Sequence, residues 1–279
     1  STMASSVLFN ATQEVDAAYS AASYCISRLR AHTTSSGVKT VLARSQYAIT
    51  GGLGGLGLRT AKMLVEGGAA GVVLSSRSGR LSGLVIDADR KVMMRVVACD
   101  VGDAADTVLL LALAAPTGML HAAGVLHDKM LRTLAIEDFY AVFEPKALAA
   151  SHMQAIMVRT PLDAFGLFSS VASTFGNVGQ ANYAAANAYL DALARSRRCH
   201  GALVSSLQIP AVGGSGMGAV TFGNEQLNAM GAISLDEFAS CLSIALAPAR
   251  AAMERTLAPL ARALLASTAT LALSELSHA

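Results

Sequence analysis

The sequence predicts an α/β fold built on a doubly wound parallel sheet, and three observations carry that prediction. From Tyr47 onward, short β-branched runs alternate with Ala/Leu-rich stretches at helical spacing, the pattern of successive βαβ units. A glycine-rich turn from Thr50 to Gly57 directly follows the first of these runs and opens a helical pattern. The 279 residues are 53% hydrophobic, enough for one large domain, or for one domain with a small appendage.

Taken in order, residues 1–45 read as the appendage: a helix over about residues 13–30, a Ser/Thr-rich break, and a short strand near residues 38–42. The main domain, residues 46–279, opens with a strand at 47–50. Leu58, Ala61, Leu64 and Val65 then recur at helical spacing, and Gly67-Gly68 supplies the stop. Further strands are expected at 71–75, 94–98, 118–121, 164–169 and 202–208. Beyond Pro210 comes a Gly/Met-rich segment; residues 210–232 fit a substrate lid at the carboxyl end of a strand, and fit an ordinary surface loop equally well. Helical patterns follow from Ser234 to about Leu246 and again to the C-terminus.

Charge and cysteine usage narrow the function classes. Twenty-one basic and 19 acidic residues give a formal charge of +2, with no run of five like charges and no aromatic-basic interleaving, which argues against a nucleic-acid partner. Cys25, Cys99, Cys199 and Cys241 lack the close spacing of zinc or redox pairs, so reduced cysteines and no metal site are expected. No basic-then-apolar leader is evident, and the long uncharged stretch 107–126 is broken by Pro116, Gly118 and His121. A cytoplasmic or organelle-interior location without a membrane span is therefore expected. Charged residues make up 14%, against about 25% in ordinary domains. Mean hydropathy is +0.47, so some apolar surface is expected to be covered by a ligand, a second chain or neighbouring domains.

The turn reads Thr50-Gly51-Gly52-Leu53-Gly54-Gly55-Leu56-Gly57, containing Gly52-x-Gly54-x-x-Gly57. Such glycines permit a tight turn, close approach of backbone to a pyrophosphate, and close packing of helix on strand, with the helix N-terminus facing the phosphate charge. About 20 residues further on, a dinucleotide site offers an acid to a ribose hydroxyl or a basic residue to a 2′-phosphate. Ser76-Arg77 ends the second strand here, and Arg77 can grip phosphate with a planar fork, which favours NADPH over NADH; a solvated surface arginine is the alternative. After the third strand, Asp100 and Val101 are placed to meet an adenine ring, although Asp100 could instead cap the following helix.

Reducing a ketone with a nicotinamide requires a proton donor at the carbonyl oxygen, where negative charge develops. Tyrosine, with a pKa of about 10, serves better when a neighbouring ammonium stabilises its phenolate. Ser170 ends a strand, Tyr183 lies thirteen residues on, and Asn187 follows four later, so Tyr183 and Asn187 share a helix face. A half-buried core tyrosine is the alternative for Tyr183.

The ordered set TGGLGGLG, SSR, CDV, HAAGVLHD, EPKALAA, LFSSVAS and NYAAANAYLDALA strongly resembles the ketoreductase domains of type I polyketide synthases and related fatty-acid synthases, a branch of the short-chain dehydrogenases with a Rossmann-type sheet. The resemblance runs from about Tyr47 to Ala194 and more weakly to about Gly218. It implies Tyr183 as general acid, Ser170 as ligand of the ketone oxygen, and Lys146 as the lysine that lowers the tyrosine pKa and contacts ribose. Asn187, standing where most short-chain dehydrogenases have that lysine, would order a relay water and hold Lys146. His121, Ala122, Ala123 and Gly124 would pack close to the cofactor.

The resemblance further implies a β-ketoacyl thioester carried on the phosphopantetheine arm of an acyl carrier protein, with neighbouring synthase domains as partners. Asp128 and Asn182 match the pattern of enzymes giving the D (3R) hydroxyl, Phe175 stands where L-type enzymes carry tryptophan, and Met217 falls in the lid. His127 and Val178 depart from that pattern. The segment 80–90 is shorter than the usual helix there, and residues 13–42 match at most the last helix and strand of the family's N-terminal structural subdomain. A free-standing dehydrogenase of a diffusible ketone and a catalytically silent structural domain are the alternatives.

Overall fold

The computed structural model describes residues 17–19, 24–26, 45–79, 92–157, 162–214, 225, 227 and 231–246. The chain divides into two compact units, Ser1–Lys39 and Thr40–Ala279. In the first, β1 (Ala17–Tyr19) and β2 (Tyr24–Ile26) pair antiparallel with Ala18 opposite Cys25. This corrects the helix expected over residues 13–30. The alanines gave that stretch a helical pattern, but Tyr19, Tyr24, Cys25 and Ile26 favour a pleated strand, and a strand pair satisfies backbone groups that a lone helix would satisfy internally. The strand expected near 38–42 lies outside the described residues.

The second unit holds a six-stranded parallel sheet in the order β5-β4-β3-β6-β7-β8. Its strands are β3 (Gln46–Thr50), β4 (Gly71–Ser76), β5 (Met93–Ala98), β6 (Gly118–His121), β7 (Ala164–Ser170) and β8 (Val204–Ile209). Chain order reverses between β3 and β6, and Thr50 and His121 pair at the carboxyl ends of those two strands. That switch point is where an open α/β sheet forms its ligand crevice.

All six strands expected from the sequence are present, with ends that agree to within two residues. The largest shift is at β8, an edge strand whose middle is only half buried, so its hydrophobic pattern marks its start poorly.

Alternation along the strands feeds two cores. Tyr47, Ile49, Val72, Leu74, Leu120 and Phe168 face one layer, together with Ala61 and Leu64 of α1 (Gly55–Glu66) and Phe238 and Leu242 of α7 (Leu235–Ala245). Ala48, Val73, Met119, Phe165 and Leu167 face the other, against Leu110 of α2 (Ala104–Ala114), Met153 of α4 (Ala149–Met157) and Leu190 of α6 (Ala181–Cys199). A period of two with both faces buried is what a doubly wound sheet requires.

Helix α1 ends at Gly67-Gly68 as its glycine pair predicts, Gly68 having φ +92°. Helix α2 is capped by Asp103, whose side chain accepts from Asp106 N at 2.9 Å, so Asp100 is not its cap. Helix α7 begins with a reciprocal Ser234–Glu237 capping box. Residues 80–90, Met217, most of the expected lid and the second C-terminal helical pattern lie outside the described residues. At the two ends of the segment expected as a lid, Val212 forms an isolated parallel bridge with Ile233.

Candidate active site

The crevice opens where β3, β6 and β7 end. Gly51 adopts φ +64°, and a Cβ there would lie 2.7 Å from the Ala123 backbone, so only glycine lets the turn pack on the segment 122–124 that follows β6. Ala122 N donates to Thr50 O at 3.0 Å across the same join. Helix α1 is preceded by Gly54, which offers no side-chain cap, and its first turn carries no acid. Its leading amides are therefore available to an anion.

Farther along, Ser76 ends β4 and its hydroxyl accepts from Gly79 N at 3.2 Å, with Arg77 exposed beside it. Asp100 folds its carboxylate over its own turn, Oδ1 accepting from Gly102 N at 3.0 Å, while Val101 is buried in the core. The glycine turn and the uncapped helix start fit the pyrophosphate of a nicotinamide dinucleotide.

Lys146 reaches the crevice through a local departure from α-helical geometry. Between α3 (Ile136–Phe143) and α4, residues Glu144–Leu148 form one π-helical turn with Pro145 at its start. Proline has no N–H to extend the helical ladder, and π turns recur at functional sites. Lys146 is only 3% exposed, and its Nζ donates to Phe168 O at 2.8 Å. Gly124 makes room for it, since a Cβ there would meet Lys146 Cε at 3.0 Å. Burial pulls the Lys146 pKa down to about 8, against the charge of Asp191, which acts to raise it.

Tyr183 stands in the first turn of α6 with the Lys146 ammonium 5.6 Å from its ring centroid. Burial raises its pKa, while hydrogen bonds from the side chains of Asn187 and Ser170 act the other way. Asn187 Nδ2 donates to Tyr183 O at 2.8 Å, and its Oδ1 is buried with no protein partner. The side chains of Asn187 and Lys146 therefore do not hold one another directly; each is fixed by a backbone carbonyl. Ser170, Tyr183 and Lys146 line one cleft of about 320 Å³, together with Ala122, Gln180 and Pro210. A hydroxyl, a phenol and an ammonium converging there can polarise and protonate a carbonyl oxygen.

The four residues expected to set stereochemistry divide. Asp128 Oδ2 accepts from Gln180 Nε2 at 2.9 Å. Asn182 is buried; Nδ2 donates to His127 O at 2.9 Å and Asp138 O at 3.0 Å, so it ties α6 to α3 and to the loop that follows β6. That loop is further held by Asp138, which pairs with His127 and Lys129 at 2.7 Å. Phe175, at the end of the short helix α5 (Ala172–Phe175), is 67% exposed and outside the cleft lining. Gln180 and the Phe168 carbonyl are site groups that the sequence did not flag, because neither belongs to a motif whose chemistry announces it.

Sheet order, glycine turn and cleft together define a nicotinamide-dependent reductase of the short-chain dehydrogenase class. Comparison with known proteins makes the class specific: the chain matches the KR domain family over residues 45–214 and belongs to it. It is 44% identical over 170 residues to the polyketide synthase GfsA of Streptomyces halstedii, covering 57% of this chain and 2% of that protein. It is 37% identical over 221 residues to a 6-methylsalicylic acid synthase of Arthrobotrys oligospora, covering 71% of this chain and 12% of that one.

Among solved structures, a C2-type ketoreductase from a modular polyketide synthase superposes with a TM-score of 0.76 at 31% identity, covering 88% of this chain and 55% of that one. An A1-type ketoreductase gives 0.74 at 30%, covering 88% and 54%. The chain thus spans a small part of these synthases and about half of the solved chains. It is a ketoreductase domain of the polyketide-synthase type, an oxidoreductase acting on a ketone. Among the described residues, no helix is long and apolar enough to cross a membrane, and no group of three or more His, Cys, Asp or Glu could hold a metal ion.

Proposed function

We propose that this domain reduces a β-ketoacyl thioester, presented on the phosphopantetheine arm of an acyl carrier protein, to the D (3R) β-hydroxyacyl thioester with NADPH. When bound, the nicotinamide supplies the hydride. Ser170 donates a hydrogen bond to the ketone oxygen, and Tyr183 delivers the proton as the alkoxide forms. Lys146, held by the Phe168 carbonyl, stabilises the phenolate left on Tyr183. The unpartnered Oδ1 of Asn187 accepts from the water that returns the proton, since a buried polar atom without a protein partner is a natural water site.

The observation that carries the reading is the convergence of Ser170, Tyr183 and the buried Lys146 on one cleft, the ammonium lying 5.6 Å from the Tyr183 ring centroid. Arg77, exposed at the end of β4, supports NADPH because its fork matches a 2′-phosphate. Asp128 and Asn182 support the D product, and the KR family supports a carrier-bound substrate with neighbouring synthase domains. The test is NADPH oxidation with a β-ketoacyl thioester, or with trans-1-decalone as surrogate, followed by chiral analysis of the alcohol. A folded protein that binds NADPH and shows no Tyr183-dependent turnover rules the reading out; an L product rules out the stereochemical part alone.

A further inference from the structure

Helix α6 carries a third polar residue on the face that bears Tyr183 and Asn187. Asp191 lies four residues beyond Asn187 and eight beyond Tyr183, and residues four apart are neighbours on a helix surface. A carboxylate taken partly out of water must have its oxygens satisfied. Here Oδ1 accepts from Ser206 Oγ at 2.6 Å, and Oδ2 accepts from Ser173 Oγ at 2.7 Å and from Gln208 Nε2 at 2.8 Å. Gln208 also donates to Ser173 Oγ at 3.0 Å and accepts from Thr174 Oγ1 at 2.9 Å.

These donors come from two other elements. Ser206 and Gln208 lie on edge strand β8, which pairs with β7 so that Gln208 stands opposite Ser169 and Ile209 opposite Ser170. Ser173 lies on α5, in the turn that Ser170 opens, where Ala172 N donates to Ser170 Oγ at 3.2 Å. One turn earlier on α6, Asn187 O accepts from Ser169 Oγ at 3.2 Å. The catalytic helix is thus fastened at two successive levels to the strand end that presents Ser170, and the upper fastening converges on a single carboxylate.

None of the three donors to Asp191 is charged, so its negative charge is not cancelled by them. The groups acting on the buried Lys146 ammonium are His121 from β6 and Tyr183 and Asp191 from α6. His121 is neutral, and Tyr183 is neutral until it gives up its proton. Among the described residues, Asp191 is the formal negative charge that acts on the ammonium.

We propose that Asp191 is a positioning residue of the reduction: it locks the Ser170 turn onto the helix that carries Tyr183 and supplies the charge that balances Lys146. The inference rests on the reductase reading above. Asp191→Asn keeps an acceptor oxygen and removes the charge. Its kcat should fall about tenfold or more while the KM for NADPH stays within about twofold. The alkaline limb of its kcat profile should move down by about half a pH unit or more, because Lys146 loses the charge that holds its proton.

Asp191→Glu keeps the charge and displaces the oxygens, so its kcat falls while the limb stays where it is in the unsubstituted protein. A folded Asp191→Asn with unchanged kcat, or with a lowered thermal midpoint and an unmoved limb, overturns the proposal. Should Asp191→Asn not fold, Asp191→Glu decides alone: full kcat, or a limb displaced downward, overturns it. Turnover by the unsubstituted protein that vanishes in Tyr183→Phe is the control; if that dependence is missing the reductase reading fails, whereas an indifferent Asp191 removes this inference only.

Discussion

The Thr50 hydroxyl and the His121 imidazole meet at 2.6 Å where β3 and β6 end side by side. The other ring nitrogen of His121, Nε2, lies 2.8 Å from Lys146 O. A carbonyl can only accept, so Nε2 carries the proton and Nδ1 accepts from Thr50. One fully buried imidazole therefore joins the cofactor turn to the π turn that delivers Lys146. Burial, then the Lys146 charge, pulls its pKa down to about 3.

Folded His121 thus resists a proton that the unfolded chain accepts near pH 6.5. Its contribution to stability is fully present above that value and is lost as pH falls from about 6.5 toward 3, because the unfolded state binds more protons there. Urea unfolding across this range should show stability falling by at most about 1.4 kcal/mol per pH unit from this group. In His121→Gln that slope should flatten; a slope identical to that of the unsubstituted protein would remove His121 as its source.

The depressed pKa of Lys146, about 8, sets the working range. If its ammonium is needed to stabilise the Tyr183 phenolate, kcat should decline as pH rises through about 8, earlier than an exposed lysine would allow. Lys146→Met should remove this limb along with most of the turnover. A pH profile of kcat flat to pH 10 or so in the unsubstituted protein would contradict the assignment.

Tyr183→Phe deletes one hydroxyl from a half-buried ring and leaves the helix backbone intact. Turnover should drop by about 10²- to 10⁴-fold, the usual range for losing a positioned acid. NADPH affinity, read by fluorescence titration, should stay within a few-fold, since the glycine turn and Arg77 follow β3 and β4, away from Tyr183 on α6. Parallel loss of binding and turnover would recast Tyr183 as a structural residue.

How far the sequence discloses this site depends on whether a residue acts through its own neighbours or across the sheet. The pairing of Ser170, Tyr183 and Asn187 is local, a strand end and one helix face, and spacing alone suggests it. The route of Lys146 is not: it requires a π turn and a carbonyl from β7, neither of which leaves a periodic signature. His121 and Asp191 are equally silent, because their partners lie 71, 25, 18, 17 and 15 positions away. Locally, Ala17 and Ala18 suggest a helix where the chain pairs strands, because antiparallel pairing overrides a weak propensity.

Gly51 offers the sharpest test of the crevice. Its φ of +64° is a conformation that an L-residue adopts at a cost of about 1 to 2 kcal/mol. The added methyl would also sit 2.7 Å from both N and Cα of Ala123, a backbone contact that no rotamer change relieves. Gly51→Ala must therefore either push β3 and β6 apart at their carboxyl ends or move the turn outward. Both displace the leading amides of α1, where the dinucleotide phosphate is expected. Thermal melting should show a loss of about 2 kcal/mol or more, and stabilisation of the melt by added NADPH should shrink with it. Gly68→Ala, equally left-handed at φ +92° but with nothing within 4 Å of the added methyl, should show only the conformational cost and retain the NADPH effect. If Gly51→Ala retained it too, the glycine turn would not be the phosphate cradle.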